Sequence, residues 1–436
     1  MFFQRTSTTQ IRASASALCA TAAFALFVTN ATFAADTLVR GAHVYTITSE
    51  GALENADVLV HDGKVAAVGK GLTAAAGATL IEAKGRALTP GFFGGLSAIG
   101  LEEVQAESST VDEKLATPAD FNALQLRPEF DPTVAFNPRS TVLPITRIEG
   151  ITWTVLAPVP ADKGGNFLTG QGAAVTLDGR YDAVLEGSRS LFVDIGSDTF
   201  AISGGSRASQ FMVLEQAVRE ARSPAEAREH TILLPAGRDV LRRYLSGGRV
   251  VFDVDRAADI RQVLAFSKRN GIKPVIVGGT EAWLVAADLA RAKVPVLLDS
   301  LVDLPTDFDR VGARLDNAAL LNKAGVQIAF SQVDRATHNA RKIRQLAGNA
   351  VAHGLPFDVA LAALTSNPAE IFGLGATRGR IARGQVADLV LWSGDPIEVS
   401  SMADQVWIEG RPIEMRSRQT ELRDRYLERL KQHQAR

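Results

Sequence analysis

Between residues 151 and 330 the chain repeats short apolar runs separated by helical patterns, an order few folds accept. The runs are Ile151-Thr-Trp-Thr-Val-Leu-Ala, Ser190-Leu-Phe-Val-Asp-Ile, Arg249-Val-Val-Phe-Asp-Val, Pro274-Val-Ile-Val-Gly, Val294-Pro-Val-Leu-Leu and Val326-Gln-Ile-Ala-Phe. Amphipathic stretches at Ala257 to Asn270, Glu281 to Arg291 and Asn317 to Ala324 lie between several of them. Continuous apolar runs fit strands buried on both faces, and the intervening helices supply right-handed crossovers between parallel strands. Six or more such units in about 280 residues fit a closed (β/α)8 barrel better than an open sheet. The expected fold class is therefore α/β, a TIM-type barrel. A chain of 436 residues has room for that barrel and a modest second domain, and can bury a core without disulfides.

Both flanks of this region alternate with period two. Thr37-Leu-Val-Arg-Gly-Ala-His-Val-Tyr-Thr-Ile is one strand pattern, and Asp57 to Gly69 reads as a hairpin turning at Asp62-Gly63. Pro90-Gly91 marks a junction, and strand patterns return after Leu374. The two β segments are expected to meet as a small composite β-sandwich built from both chain ends. The division predicted is a signal peptide (1–34), sandwich (35–89), barrel (90–373), sandwich (374–415) and C-terminal helix (416–436). Leu101 to Arg147, with five prolines and many acidic residues, reads as a long loop on the catalytic face. In the tail, Leu422, Tyr426, Leu427 and Leu430 share a helical face expected to dock on the body.

The first residues read as an address. Arg5 and Arg12 precede an apolar run from Ala15 to Val28, followed by small residues suited to cleavage after Ala34. That run of about 14 residues is too short to span a bilayer, which takes ~20. The expected destination is the periplasm or the exterior, with no membrane span in the mature chain. Cys19 falls inside the signal, so the mature chain has no cysteine and no thiolate zinc site. Cleavage leaves 45 basic against 48 acidic residues, and a near-neutral chain without a basic run gives no case for nucleic acid.

Several motifs resemble the amidohydrolase superfamily, near its imidazolonepropionase-like members. The most specific is Leu364-Thr-Ser-Asn-Pro-Ala-Glu-Ile-Phe-Gly-Leu followed by Gly379-Arg-Ile-Ala-Arg-Gly-Gln-Val-Ala-Asp-Leu-Val-Leu-Trp-Ser-Gly-Asp-Pro. Leu88-Thr-Pro-Gly-Phe-Phe is a second match, and Gly170-Gln-Gly-Ala and Asp255-Arg-Ala-Ala-Asp-Ile are weaker echoes. The resemblance implies hydrolysis of a C–N bond by water activated on one or two divalent ions at the C-terminal ends of the strands. It implies ligands from His-x-His on barrel strand one, Lys or a carboxylate on strand four, His on strands five and six, and Asp on strand eight.

The ligand positions do not carry those residues. The strand-one pattern is here Pro90-Gly-Phe-Phe-Gly-Gly-Leu-Ser-Ala, which puts Leu96 and Ala98 at the two imidazole positions. Strand five offers Asp253, which suits a hard cation. Strand six offers Gly278. Strand eight reads Ala329-Phe-Ser-Gln-Val-Asp, with Val333 at the aspartate position and Asp334 one residue off, where strand alternation turns it away. Asp194 and Asp198 are acidic candidates for strand four, although Asp194 can equally sit on strand three. The histidines His43, His61, His230, His338, His353 and His433 form no metal-spaced pair. There is no Gly-x-Ser-x-Gly elbow and no phosphate loop.

Three readings follow. One is a catalytically degenerate homologue, acting as a binding protein or as the inactive partner of an active paralogue, alone or in a homo-oligomer. It carries no cofactor and no metal. A second is an active hydrolase with an unorthodox site using Asp253, Asp334 and residues of the Leu101–Arg147 loop, whose oxygen ligands would favour magnesium, calcium or manganese over zinc. The third is small-molecule binding in the old substrate cavity, with Ser97, Asp253, Ser331 and Gln332 as polar linings.

Overall fold

The computed structural model describes residues 36–116, 125–161, 165–223, 231–335 and 337–434. The expected signal peptide and His230 lie outside the described residues, and among those described no helix is long and apolar enough to cross a membrane.

The chain begins with β1 (Thr37–Tyr45), β2 (Ala52–His61), β3 (Lys64–Gly69), β4 (Thr79–Glu82) and β5 (Ala87–Pro90). The β2–β3 hairpin turns at Asp62 and Gly63, with φ of 47° and 74°. Two consecutive positive φ values give the tight turn whose twist matches its strands, and an Asp-Gly pair accepts them with least strain. At the other end come β16 (Leu389–Trp392), β17 (Ala403–Ile408) and β18 (Arg411–Pro412). β16 pairs antiparallel with β5, so both chain ends share one eight-stranded sheet. The strands pair as one continuous sheet, in which the first half of β1 pairs with β4 and its second half with β5, and the pairing does not by itself establish the two layers of a sandwich. Val39, Val44, Val58, Val60, Leu88, Leu389 and Trp407 form its buried core.

The second sheet carries the eight strands of the barrel. In spatial order they are β6 (Phe92–Ser97), β8 (Ile151–Leu156), β10 (Gly170–Thr176), β11 (Ser190–Asp194), β12 (Arg249–Val254), β13 (Lys273–Gly278), β14 (Val296–Leu298) and β15 (Ile328–Phe330). A short parallel pair, β7 (Lys114–Leu115) and β9 (Val159–Pro160), lies outside the barrel sheet. The (β/α)8 expectation needs one correction. β10 runs antiparallel to both neighbours, and no helix separates it from β8 or β11 among the described residues. An antiparallel neighbour needs only a short connection, so this quarter of the barrel dispenses with crossovers.

Helices cover the rest of the outer face: α1 (Val142–Arg147), α2 (Arg207–Arg222), α3 (Pro235–Tyr244), α4 (Ala257–Asn270), α5 (Ala286–Ala292), α6 (Asn317–Lys323), α7 (Ile343–Ala352) and α8 (Phe357–Leu364), while α9 (Ser366–Ile371) packs Ala369 and Ile371 against the inner core. Inside, Phe93, Leu96, Trp153, Val155, Phe192, Val251, Val277, Leu297 and Ala329 pack with Ile371, Phe372 and Leu374. The segment that carries the strongest family resemblance therefore supplies apolar side chains to the barrel's inner core. The tail helix α10 (Arg418–Gln434) buries none of its residues, and Tyr426, Leu427 and Leu430 are exposed, so the expected docking is not seen.

Backbone pairing does not close the ring between β15 and β6 among the described residues. There the Leu96 N–H donates to the Ser331 Oγ at 3.1 Å, in a fully buried position. Ser331→Ala should strand that donor and cost about 1–3 kcal/mol, the usual penalty for an unsatisfied buried group. Urea unfolding of the variant measures it, and a change below about 0.5 kcal/mol would mean the link carries no load.

Candidate functional site

A cavity of about 330 Å³ opens at the C-terminal ends of β11 and β12, with Asp194, Asp253, Asp255, Arg310, Asp334 and Arg335 in its lining. Asp194 and Asp253 end adjacent parallel strands and are partners in register, so they stand at the same height. Asp194 thus belongs to the fourth barrel strand. Its ordinal was ambiguous because Gly170–Thr176, small and glycine-containing, did not read as a strand of its own.

Arg335 fills the space between these two carboxylates. Its Nη2 is hydrogen-bonded to Asp253 Oδ2 and lies 3.6 Å from Asp194 Oδ1, while Nη1 donates to the Pro158 carbonyl at 3.4 Å. The side chain is only 7% exposed. Its backbone has φ of 47°, a left-handed conformation that a long side chain adopts at some cost. The second oxygen of Asp194 is buried and has no hydrogen-bond partner among the described residues. Burial pushes the Asp194 carboxyl up to about 7, with Asp253 and Asp198 adding to the rise and Arg335 opposing it.

The rest of the mouth is also paired. Asp255 accepts from Thr280 Oγ1 at 2.6 Å, from Thr280 N at 3.1 Å and from Arg310 Nε at 2.8 Å. Burial and the neighbouring Asp253 nevertheless hold the Asp255 carboxyl above the usual range. Arg310 reaches Asp307 at 2.7 Å as well. Arg207 bridges Asp259 and Asp309, and Asp309 accepts from both the N–H and the hydroxyl of Ser197 at 2.8 Å.

Set against a divalent metal, these residues do not fit. Leu96 faces the apolar interior of the barrel, and Ala98 is buried in the outer core. Gly278 has φ of 81°, and a Cβ there would sit 2.8 Å from Asp255 Oδ1 and 3.3 Å from Asp253 Oδ1. A histidine at that position would strike the two aspartates, so the strand-six place is occupied. Val333 is partly exposed and donates its N–H to Asp299 Oδ2 at 3.2 Å. Among the described residues, no group of three or more His, Cys, Asp or Glu side chains is placed to hold a metal ion.

The other singled-out residues divide. Asp253 lines the cavity, and so do Val333 and Asp334. The alternation that was to turn Asp334 away does not apply, because β15 stops at Phe330 and both residues follow it in a turn. Asp334 accepts from Asn339 Nδ2 at 2.6 Å. Ser97 lies off the lining, bonded to Thr154 Oγ1 at 2.9 Å. Ser331 is committed to the barrel closure, and Gln332 is half-buried outside the lining. Asp198, the second strand-four candidate, sits on the rim of the same cavity. His43 pairs with Glu54 and His61 with Asp36 in the terminal sheet, His338 is exposed, and His353 bonds the Asn349 carbonyl. From the Leu101–Arg147 loop, β7 pairs with β9, whose Val159 and Pro160 line the cavity, and Glu102 accepts from Thr337. Arg335, Asp255, Thr280 and Arg310 were missed as site residues. For Arg335 no local signal marks the role, because its inward turn depends on the left-handed backbone beyond β15.

Comparison with known proteins agrees with this architecture. The model of the amidohydrolase family matches residues 336–413. Amidohydrolase tasK of Hapsidospora irregularis is 39% identical over 77 residues, covering 18% of this chain and 8% of that protein, so only a small part of the relative is represented. Among solved structures, an amidohydrolase from Thermotoga maritima MSB8 superposes with a TM-score of 0.77 at 26% identity, over 87% of this chain and all of that one. Molinate hydrolase matches with a TM-score of 0.53 at 15% identity, over 88% of this chain and 95% of its own, which speaks for the fold alone.

Proposed function

We propose that this chain, similar in fold and in its C-terminal motifs to the amidohydrolase superfamily, is a non-catalytic member whose barrel mouth binds a small molecule instead of cleaving one. The observation that carries this reading is Arg335, seated between the strand-four and strand-five carboxylates where the family's chemistry calls for a metal. Water activated in the family's manner needs a Lewis acid with an open position. A guanidinium donates hydrogen bonds but cannot coordinate water or lower its pKa in that way.

The lining supports a ligand class. Asp194, Asp198, Asp253, Asp255, Asp309 and Asp334 outnumber Arg310 and Arg335 around the cavity. Such a surface favours ligands rich in N–H donors or bearing positive charge. Amines, guanidines and cyclic amides of modest size meet that description and fit the volume. The N-terminal Arg5/Arg12 and apolar pattern supports export as part of this reading, with the encounter in the periplasm or outside the cell.

Mature protein purified without a polyhistidine tag tests the reading directly. We expect substoichiometric zinc, manganese and iron, and no turnover of lactams, hydantoins or N-acylated amino acids. A ligand from the same panel should raise the melting temperature, since binding only to the native state stabilises by about 2.7 kcal/mol at one hundred times Kd. Stoichiometric metal together with hydrolysis would sink the proposal. The observation that favours a hydrolytic reading is the Asp194 carboxyl, held near 7 where a general acid or base works well. The same turnover assay, run across pH, decides it.

A further inference from the structure

We infer that Arg335 is the resident cation of this barrel mouth, a guanidinium that holds the strand-four and strand-five carboxylates together where a divalent ion would otherwise have to. The inference rests on the metal-free reading above, and it explains how the scaffold survives without the ion. Two carboxylates at matched register on adjacent strands repel each other, and in a partly buried mouth the repulsion is poorly screened. A scaffold that simply lost its ligands would be left with that repulsion.

Three features place Arg335 in the role. Its Nη2 is shared by Asp194 and Asp253, so one nitrogen serves both acids. Its other terminal nitrogen is anchored on the Pro158 carbonyl, which follows the second barrel strand, so the head group is held from across the mouth. Its backbone adopts the left-handed conformation just beyond β15, which marks a position imposed by its surroundings. The guanidinium thus puts one positive charge between the two acids, the side of the balance a divalent ion would otherwise supply.

The inference predicts that removing the guanidinium uncovers a demand for a cation. Arg335→Ala and the milder Arg335→Gln should each gain a response to Mn²⁺ or Ca²⁺, hard ions suited to oxygen ligands. We expect melting temperatures of both variants to rise by several degrees in millimolar Mn²⁺, with calorimetric affinity at least tenfold above wild type. Arg335→Lys, which keeps the charge, should stay close to wild type. Adding Asp253→Asn to Arg335→Gln should abolish the gain. If Arg335→Ala does not fold, Arg335→Gln, which keeps a donor to Asp253, carries the same readout. Variants as indifferent to Mn²⁺ as wild type would overturn the inference and leave the metal-free reading intact. Metal already bound to wild type would overturn that reading first, and the two failures are told apart by the wild-type metal content.

Discussion

Replacing Arg378 with methionine should cost about 3–5 kcal/mol, the usual range for breaking a buried ion pair on one side only. Arg378 and Asp388 are 6% and 5% exposed, and they are hydrogen-bonded to each other. The second arm of Arg378 reaches Glu409 Oε1 at 2.6 Å, and Arg180 grips both oxygens of Glu409 at 2.7 Å. Asp388 also accepts from the Glu409 N–H at 2.8 Å. Arg180 follows the third barrel strand, while Asp388 and Glu409 flank β16 and β17, so the cluster ties the barrel to the terminal sheet. Burial holds the Asp388 carboxyl above its ordinary range even with Arg378 beside it. Without the guanidinium, Asp388 must either stay charged and unpaired or bind a proton, and both cost free energy. Unfolding entropy near 2.1 cal/mol/K per residue over about 400 residues converts the loss to a melting shift of roughly 4–6 °C. The double variant Arg378→Met with Asp388→Leu should recover much of it, because the uncompensated charge is gone. A loss below about 1 kcal/mol in the single variant would show that the pair is not effectively buried.

The scaffold was legible because its determinants are local. Alternation at Thr37 to Ile47 and the Asp62-Gly63 turn dictate a hairpin-rich sheet wherever they occur. The apolar runs ending in Asp194, Asp253 and Gly278 dictate buried parallel strands. The antiparallel β10 escaped because Gly170, Gly172 and two alanines leave little strand signature, and its pairing comes from neighbours far apart in sequence. That single omission also obscured the ordinal of Asp194.

The site was half legible for a different reason. Residue types that cannot bind a metal show directly in a sequence, and Leu96, Ala98 and Val333 are such types. A replacement does not show, because nothing local says that Arg335 turns inward or that Asp255 occupies the space above Gly278. Those facts depend on a left-handed backbone beyond β15 and on the meeting of two strand ends. A search by residue type stops there, whereas the folded chain seats Arg335 between Asp194 and Asp253.

The second large effect concerns Asp194 and pH. Its folded carboxyl titrates at about 7, against about 3.9 for an unperturbed aspartate in the unfolded chain. Between those values the native state binds more protons than the unfolded one, so the contribution of this group to stability falls as pH rises. It is fully present below about pH 4 and lost on passing through 7. Three pKa units at about 1.4 kcal/mol each set a ceiling of roughly 4 kcal/mol. Burial is the first cause, and of the charged neighbours Asp253 and Asp198 raise the value while Arg335 lowers it. Asp194→Asn keeps the shape and removes the titration. The variant should exceed wild type by about 1–2 kcal/mol at pH 5, where the loss has begun, and by about 3–4 kcal/mol at pH 8. Urea unfolding of both proteins at pH 5, 6.5 and 8 isolates the difference from the many other carboxylates, which titrate alike in each. Parallel stability curves would mean that Asp194 ionises as an ordinary aspartate. The guanidinium of Arg335 would then face two full negative charges across the whole pH range, and the mouth would need a further cation at neutral pH.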